Sequence, residues 1–274
     1  MPATGDPNRH ASSPGGLGAC LAPVVPLSTH GLSRRYRALV ALDRLELQVA
    51  QGSIVGLVGP NGSGKTTALR LVAGLDSPDA GRATVDGHPA GSVGARRSLA
   101  YVPDEPGGLE ELTVGELIDL VGALYGRPDG YDRRALVLLA AFGLDSRSGD
   151  RLAALSHGLR RQASIVAAGA LATPLLVVDE ATATLDPEAV IVLREALSAV
   201  AARGGAVLLA TQDLHFAETV CDEVWLLAHG RTVASGQLRS VLAGYGAPTL
   251  EAAFLAAVGQ PDLVASVRES FRTL

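Results

Sequence analysis

The chain has 274 residues, 47% of them hydrophobic, enough for one large α/β domain or two small ones around a substantial core. Its net charge of −5, with no dense basic cluster, argues against a protein that neutralises nucleic-acid phosphates, and no nucleic-acid partner is expected. There is no uninterrupted apolar run of about 18 residues that could span a bilayer.

Residues 1–25 are rich in Pro, Gly, Ser and Ala without periodicity, and predict a flexible tail. The two cysteines, Cys20 and Cys221, have neither metal-type nor disulfide-framework spacing; Cys221 reads as an apolar filler. With no signal-peptide pattern at the N-terminus, a reducing cytoplasm is the expected compartment.

From Val24 the pattern is strand, turn, strand, with Leu45, Leu47 and Val49 alternating as one half-buried face. Ile54–Val58 is a short buried strand, followed by a glycine loop and the helical stretch ALRLVAG. Residues 113–144 predict helices, and 163–178 a buried helix running into a buried strand. Leu175–Val178 and Val207–Ala210 are further buried strands, each followed by polar or acidic residues. Apolar strands separated by helices imply a parallel sheet covered on both faces, with the central helical stretch as an inserted subdomain.

Gly59-Pro60-Asn61-Gly62-Ser63-Gly64-Lys65-Thr66, followed by Thr67, fits G-x-x-x-x-G-K-[ST] in the required strand–loop–helix context. The glycines let backbone N–H groups crowd around phosphate oxygens, and the helix beginning near Lys65 adds its positive dipole end. Lys65, the only lysine in the chain, supplies full charge to the β- and γ-phosphates, and the Thr66 hydroxyl can ligate Mg²⁺. This pattern alone means nucleotide binding and is silent about its use.

The strand Leu175–Val178 ends in Asp179-Glu180. Asp179 can reach the Mg²⁺ cluster directly or through water, and Glu180 can polarise an attacking water as general base.

Between these motifs lies Leu155-Ser156-His157-Gly158-Leu159-Arg160-Arg161-Gln162, which resembles the LSGGQ signature of ABC ATPases, with His157 at the first glycine and Leu159 at the glutamine. Ser156 and Gly158, the positions that touch a γ-phosphate in that family, are kept. Taken alone, LSHG reads as a helix N-cap serine; the order of the motifs favours the signature. Tyr36 stands where the family stacks an aromatic ring on adenine, and Leu185-Asp186 resembles its D-loop. GRTVASG followed by TLEAAFLAAVG is similar to the end of ATPases serving ABC-2-type exporters.

The resemblance covers roughly residues 27–240 and implies an α/β P-loop NTPase (RecA-like) core. A mostly parallel sheet, an antiparallel β subdomain and an inserted α-helical subdomain at about 105–160 would make up an ATPase domain over 26–240, with a C-terminal helical extension over 241–274. It further implies ATP and Mg²⁺ as cofactors, a second cassette as homodimer or heterodimer partner, and Ser156, His157 and Gly158 acting in trans. The remaining implied partner is an integral-membrane permease on a separate chain, which would hold this one at the inner face of the membrane.

Two positions depart from the family pattern. Asp104, in Tyr101-Val102-Pro103-Asp104-Glu105, replaces the Q-loop glutamine; it can still ligate Mg²⁺, but adds negative charge that must be offset. Gln212, after Thr211, replaces the switch histidine; an amide can donate one hydrogen bond but carries no charge and shuttles no proton. His215 reads as a solvated helix residue. With Glu180 intact, the expectation is a slow but real transport ATPase. The alternatives are a weakly hydrolysing regulatory subunit and the attenuated half of an asymmetric pair.

Overall fold

The computed structural model describes residues 25–105, 107–260, 263, 270 and 271. The expected tail up to residue 24, with Cys20, and most of the extension past Gln260 lie outside the described residues.

The first described elements are β1 (Leu27–Tyr36) and β2 (Leu39–Val49), antiparallel and registered with Leu27 opposite Val49 and Tyr36 opposite Leu39. β3 (Ile54–Val58) runs into α1 (Lys65–Val72), after which β4 (Ala80–Val85) and β5 (His88–Pro89) return to the first sheet, ordered β2-β1-β4-β5. α2 (Val93–Arg97) and β6 (Leu99–Val102) precede α3 (Val114–Leu124), α4 (Tyr131–Ala141) and α5 (His157–Gly169). Then come β7 (Leu175–Val178), α6 (Pro187–Ala202), β8 (Ala206–Thr211), α7 (Leu214–Val220) and β9 (Glu223–Ala228). β10 (Arg231–Gln237) doubles back antiparallel on β9, and α8 (Leu238–Gly244) and α9 (Leu250–Ala257) follow.

The second sheet is ordered β10-β9-β3-β8-β7-β6, and its strands from β9 to β6 are parallel. Its central strands are apolar throughout because each face meets a different core. Val55, Leu57, Val177 and Leu208 pack toward α1 and the first sheet. Ile54, Val58, Val178 and Leu209 pack toward the helices from α3 to α7. This period-two division is what continuous apolar runs produce in a parallel sheet covered on both sides.

Local signals set several helix starts. Thr113 and Glu116 form a reciprocal capping box on α3, and Asp186 caps α6 with Pro187 in its first turn. α5 runs on to Gly169, so its second half belongs to the main core while its start carries the signature-like residues. Val241, Leu250 and Ala253 share a core with Phe216 and Ala217, and the Leu250 N–H donates to Glu218 at 2.8 Å. The extension up to Gln260 is thus packed onto α7. β4, β6 and β9 were not legible in the sequence; β6 has four residues, and β4 has an exposed first half without alternation. Cys221 is buried, and burial pushes its thiol well above the ordinary range.

Candidate functional site

In a parallel sheet, residues just beyond the strands' carboxyl ends gather along one edge. Val58 is registered with Thr211, and Val178 with Leu209. The Gly59 N–H donates to the Thr211 carbonyl at 3.3 Å, and the Ala181 N–H to the Ala210 carbonyl at 3.1 Å. The phosphate loop, Gln212 and the Asp179-Glu180 pair therefore leave the sheet side by side.

The loop from Gly59 to Gly64 turns onto α1 through Gly64, whose φ of 105° lies in the left-handed region and which offers no side-chain cap. The first N–H groups of α1 consequently stay open to an anion. Pro60, Asn61 and Gly62 are exposed. Ser63 is buried, with a hydroxyl that has no hydrogen-bond partner in the chain. Lys65, 4% exposed, folds its ammonium back into the loop, donating to the Gly59 carbonyl at 2.9 Å and the Pro60 carbonyl at 3.2 Å. Its third contact is the Glu180 carboxylate at 3.1 Å. Thr67 is half-buried beside them on α1.

Asp179 is fully buried at the end of β7. Its carboxylate accepts from the Thr66 hydroxyl at 3.2 Å and from the Tyr101 hydroxyl at 3.3 Å. Burial raises the Asp179 carboxyl above the usual range, opposed by these two hydrogen bonds and augmented by Asp104 and Glu180. Tyr101 is held protonated, first by burial and then by the Asp179 charge. Glu180 sits at φ 45°, a left-handed conformation that costs a non-glycine residue and is a recurring sign of functional positioning.

Thr66 and Asp179 offer hard oxygen donors 3.2 Å apart, a pair that fits Mg²⁺ shared with phosphate. Among the described residues no group of three or more His, Cys, Asp or Glu side chains could hold a metal by itself. Asp104 is exposed at the loop after β6, its carboxylate 3.5 Å from the Arg161 guanidinium. Gln212 is exposed immediately past β8, and Asp213 after it caps α7, accepting from the Phe216 N–H at 2.9 Å. His215 is exposed on α7, pointing to no role in this cluster.

Ser156 caps α5, its hydroxyl oxygen accepting from the Leu159 N–H at 3.3 Å; Ser156 and His157 are both exposed. Gly158 has a packing role that the sequence did not disclose. A Cβ there would stand 2.5 Å from the Thr184 carbonyl oxygen, in the loop that follows Glu180. Tyr36 is 42% exposed at the end of β1; its hydroxyl donates to Asp76 at 3.1 Å, and the Arg34 guanidinium lies 5.0 Å from its ring centroid. Tyr101, Thr184 and Arg161 were missed by sequence reasoning, since nothing about an isolated tyrosine, threonine or helix arginine marks it. Only the pairing of distant segments does.

The comparisons with known proteins agree with this geometry. The model of the family described as ABC transporter matches residues 42–183. Nod factor export ATP-binding protein I of Ralstonia nicotianae is 34% identical over 233 residues, covering 84% of this chain and 71% of that protein. The daunorubicin/doxorubicin resistance ATP-binding protein DrrA of Streptomyces peucetius is 34% identical over 231 residues, covering 83% and 70%. A solved ATP-binding subunit of an ABC transporter superposes with a TM-score of 0.80 at 33% identity, covering 85% of this chain and 99% of that one. The P-loop NTPase core with its antiparallel sheet and inserted helices is the fold of that structure too. The phosphate loop, the acidic strand end and these relatives together make the chain a member of the ABC transporter family, an ATP-binding subunit of the transport-coupled ATPases.

Proposed function

We propose that this subunit is the motor of an exporter, hydrolysing ATP between two cassettes and driving a permease on a separate chain. The observation that carries the reading is the convergence of Lys65 with Glu180 at 3.1 Å and of Thr66 with Asp179 at 3.2 Å, which joins phosphate loop and acidic strand end into one hydrolytic site. Export is supported by the names of the relatives, one a Nod factor export protein and the other a drug-resistance protein.

Lys65 exchanges the Glu180 carboxylate for the β- and γ-phosphates of ATP, while the open N–H groups of α1 and the Ser63 hydroxyl take phosphate oxygens. Tyr36 lends its free ring face to the adenine. Thr66 and Asp179 would hold Mg²⁺, with Asp104 as a further candidate ligand; bound there, the ion would supply positive charge to offset that of the phosphates. Glu180, released from Lys65, accepts a proton from water as its oxygen attacks the γ-phosphorus. The bond to the leaving β-phosphate oxygen breaks, and its electron pair stays with ADP. Gln212 donates an amide hydrogen bond at the same edge. Ser156, His157 and Gly158 are the surface offered to the ATP of the second cassette.

An apolar groove of about 330 Å³ lined by Tyr101, Pro103, Leu117, Val121, Tyr125 and Ala167 opens beside Asp104, between β6 and helices α3 and α5. It is the proposed seat of the permease, which would place the subunit on the cytoplasmic face of the membrane. No helix among the described residues is long and apolar enough to cross a membrane.

Steady-state ATP hydrolysis, alone and with the permease, beside Glu180→Gln, tests the reading. Turnover that depends on Glu180 and rises with permease is expected. Tight ATP binding with turnover no greater than the Glu180→Gln control would make the chain a nucleotide sensor or the attenuated half of an asymmetric pair.

A further inference from the structure

We propose that Arg161 is a positioning residue for hydrolysis: from the signature helix it offsets the charge of Asp104 and holds that residue in the nucleotide site, so that the Asp104–Arg161 pair works as one unit. The inference deepens the proposed function and rests on it.

Arg161 is 1% exposed, a rare state for a guanidinium, and it lies on α5 five residues after Ser156. Its Nη1 donates to the Asp104 carbonyl at 2.6 Å and stands 3.5 Å from the Asp104 carboxylate. Its Nη2 donates to the backbone carbonyl of Asp179. One planar fork thus ties three segments together: the signature helix, the loop carrying Asp104 and the acidic end of β7. A lysine, with a single compact ammonium, could not span both carbonyls and the carboxylate.

Electrostatics gives the fork its purpose. Three carboxylates, Asp104, Asp179 and Glu180, converge where a nucleotide polyphosphate must enter, and Lys65 is already engaged by Glu180. The acidic residue at 104, where the family pattern has a neutral amide, adds a charge that repels phosphate unless it is balanced. Arg161 is the buried cation in reach of it. Burying a guanidinium carries a large desolvation penalty, and such burial persists where the charge is paired. Purely structural anchoring of the two carbonyls would need no residue at 104 to be acidic.

The test is a double-mutant cycle on the full chain, reading equilibrium binding of a fluorescent ATP analogue with and without Mg²⁺, together with thermal unfolding. R161Q is expected to weaken Mg²⁺-dependent binding by about tenfold, and adding D104N is expected to restore it to within about threefold of wild type. R161K keeps the charge but cannot span both carbonyls and the carboxylate, and is expected to lose about threefold, less than R161Q. Equal loss in R161Q and in R161Q/D104N overturns the proposal, because Arg161 would then serve only the backbone. If R161Q unfolds in the thermal scan, the cycle with R161K decides: a loss that D104N does not relieve also overturns it. Wild-type protein that binds no ATP analogue defeats the proposed function along with this inference; wild-type binding with an additive cycle defeats the role of Arg161 alone.

Discussion

The Lys65 ammonium stands 3.1 Å from the Glu180 carboxylate, the lysine 4% and the glutamate 13% exposed. The pair holds the nucleotide's principal cation and the proposed general base in mutual engagement. On the proposed function, ATP phosphates would compete with Glu180 for Lys65, so binding substrate would also free the base. That reading links phosphate recognition and activation of the base through one ion pair.

Replacing Glu180 with glutamine keeps its size and weakens both roles. Turnover is expected to fall by about 10²- to 10⁴-fold, the span of general-base effects. ATP affinity is expected to stay level or tighten, since Lys65 no longer pairs with a charged competitor. Single-turnover hydrolysis and equilibrium binding separate the two effects. A turnover loss below about threefold would remove Glu180 from the chemistry.

Gln212→His restores a group able to carry positive charge at the edge of the site. With Gln212 directly past the end of β8, beside the phosphate loop and Glu180, turnover is expected to rise, by up to about 10²-fold if one charge-assisted contact is regained. Steady-state hydrolysis measures it. An unchanged rate means that the amide already suffices and that attenuation at this position is not a feature of the protein.

Asp179→Asn removes a fully buried carboxylate whose protonated form the fold favours. The metal-free folded chain retains that proton to higher pH than the unfolded chain does. Stability contributed by Asp179 is therefore lost as pH rises from the ordinary carboxylate range through the raised value. In EDTA near neutral pH the variant is expected to melt higher than wild type, with the gap closing in acid; Mg²⁺-dependent ATP binding is expected to disappear. Thermal melts across pH check the sign, and a variant that melts lower at neutral pH contradicts it.

Gly158→Ala puts a methyl group 2.5 Å from the Thr184 carbonyl oxygen, a backbone atom. The loop after Glu180 must move, at a cost of about 1–3 kcal/mol typical of overpacking. Urea unfolding is expected to show that loss together with reduced hydrolysis, even where the second cassette contributes nothing. Unaltered stability would leave contact in trans as the sole reason for glycine at this position.

What was legible in the sequence is what local chemistry fixes. Gly59 to Thr66 declared itself because a loop that wraps phosphate needs glycines, one lysine and a hydroxyl within a single turn of chain. The runs Ile54–Val58 and Leu175–Val178 read as buried strands because both faces of a parallel sheet need apolar side chains, and the structure sends alternate residues into two cores. Ser156 was open to two readings, and in the single chain it serves as a cap.

Tertiary structure alone decided the pairings. Thr66 and Asp179 lie 113 positions apart and meet only because β3, β8 and β7 end on one edge. The partner of Asp104 is an arginine 57 positions away on the signature helix, and the neighbour of Gly158 is a loop carbonyl beyond β7. Periodicity and motif spacing report which face a residue turns to the core. Which two charges then share a few ångströms is set by strand order and helix packing, and no local pattern encodes that.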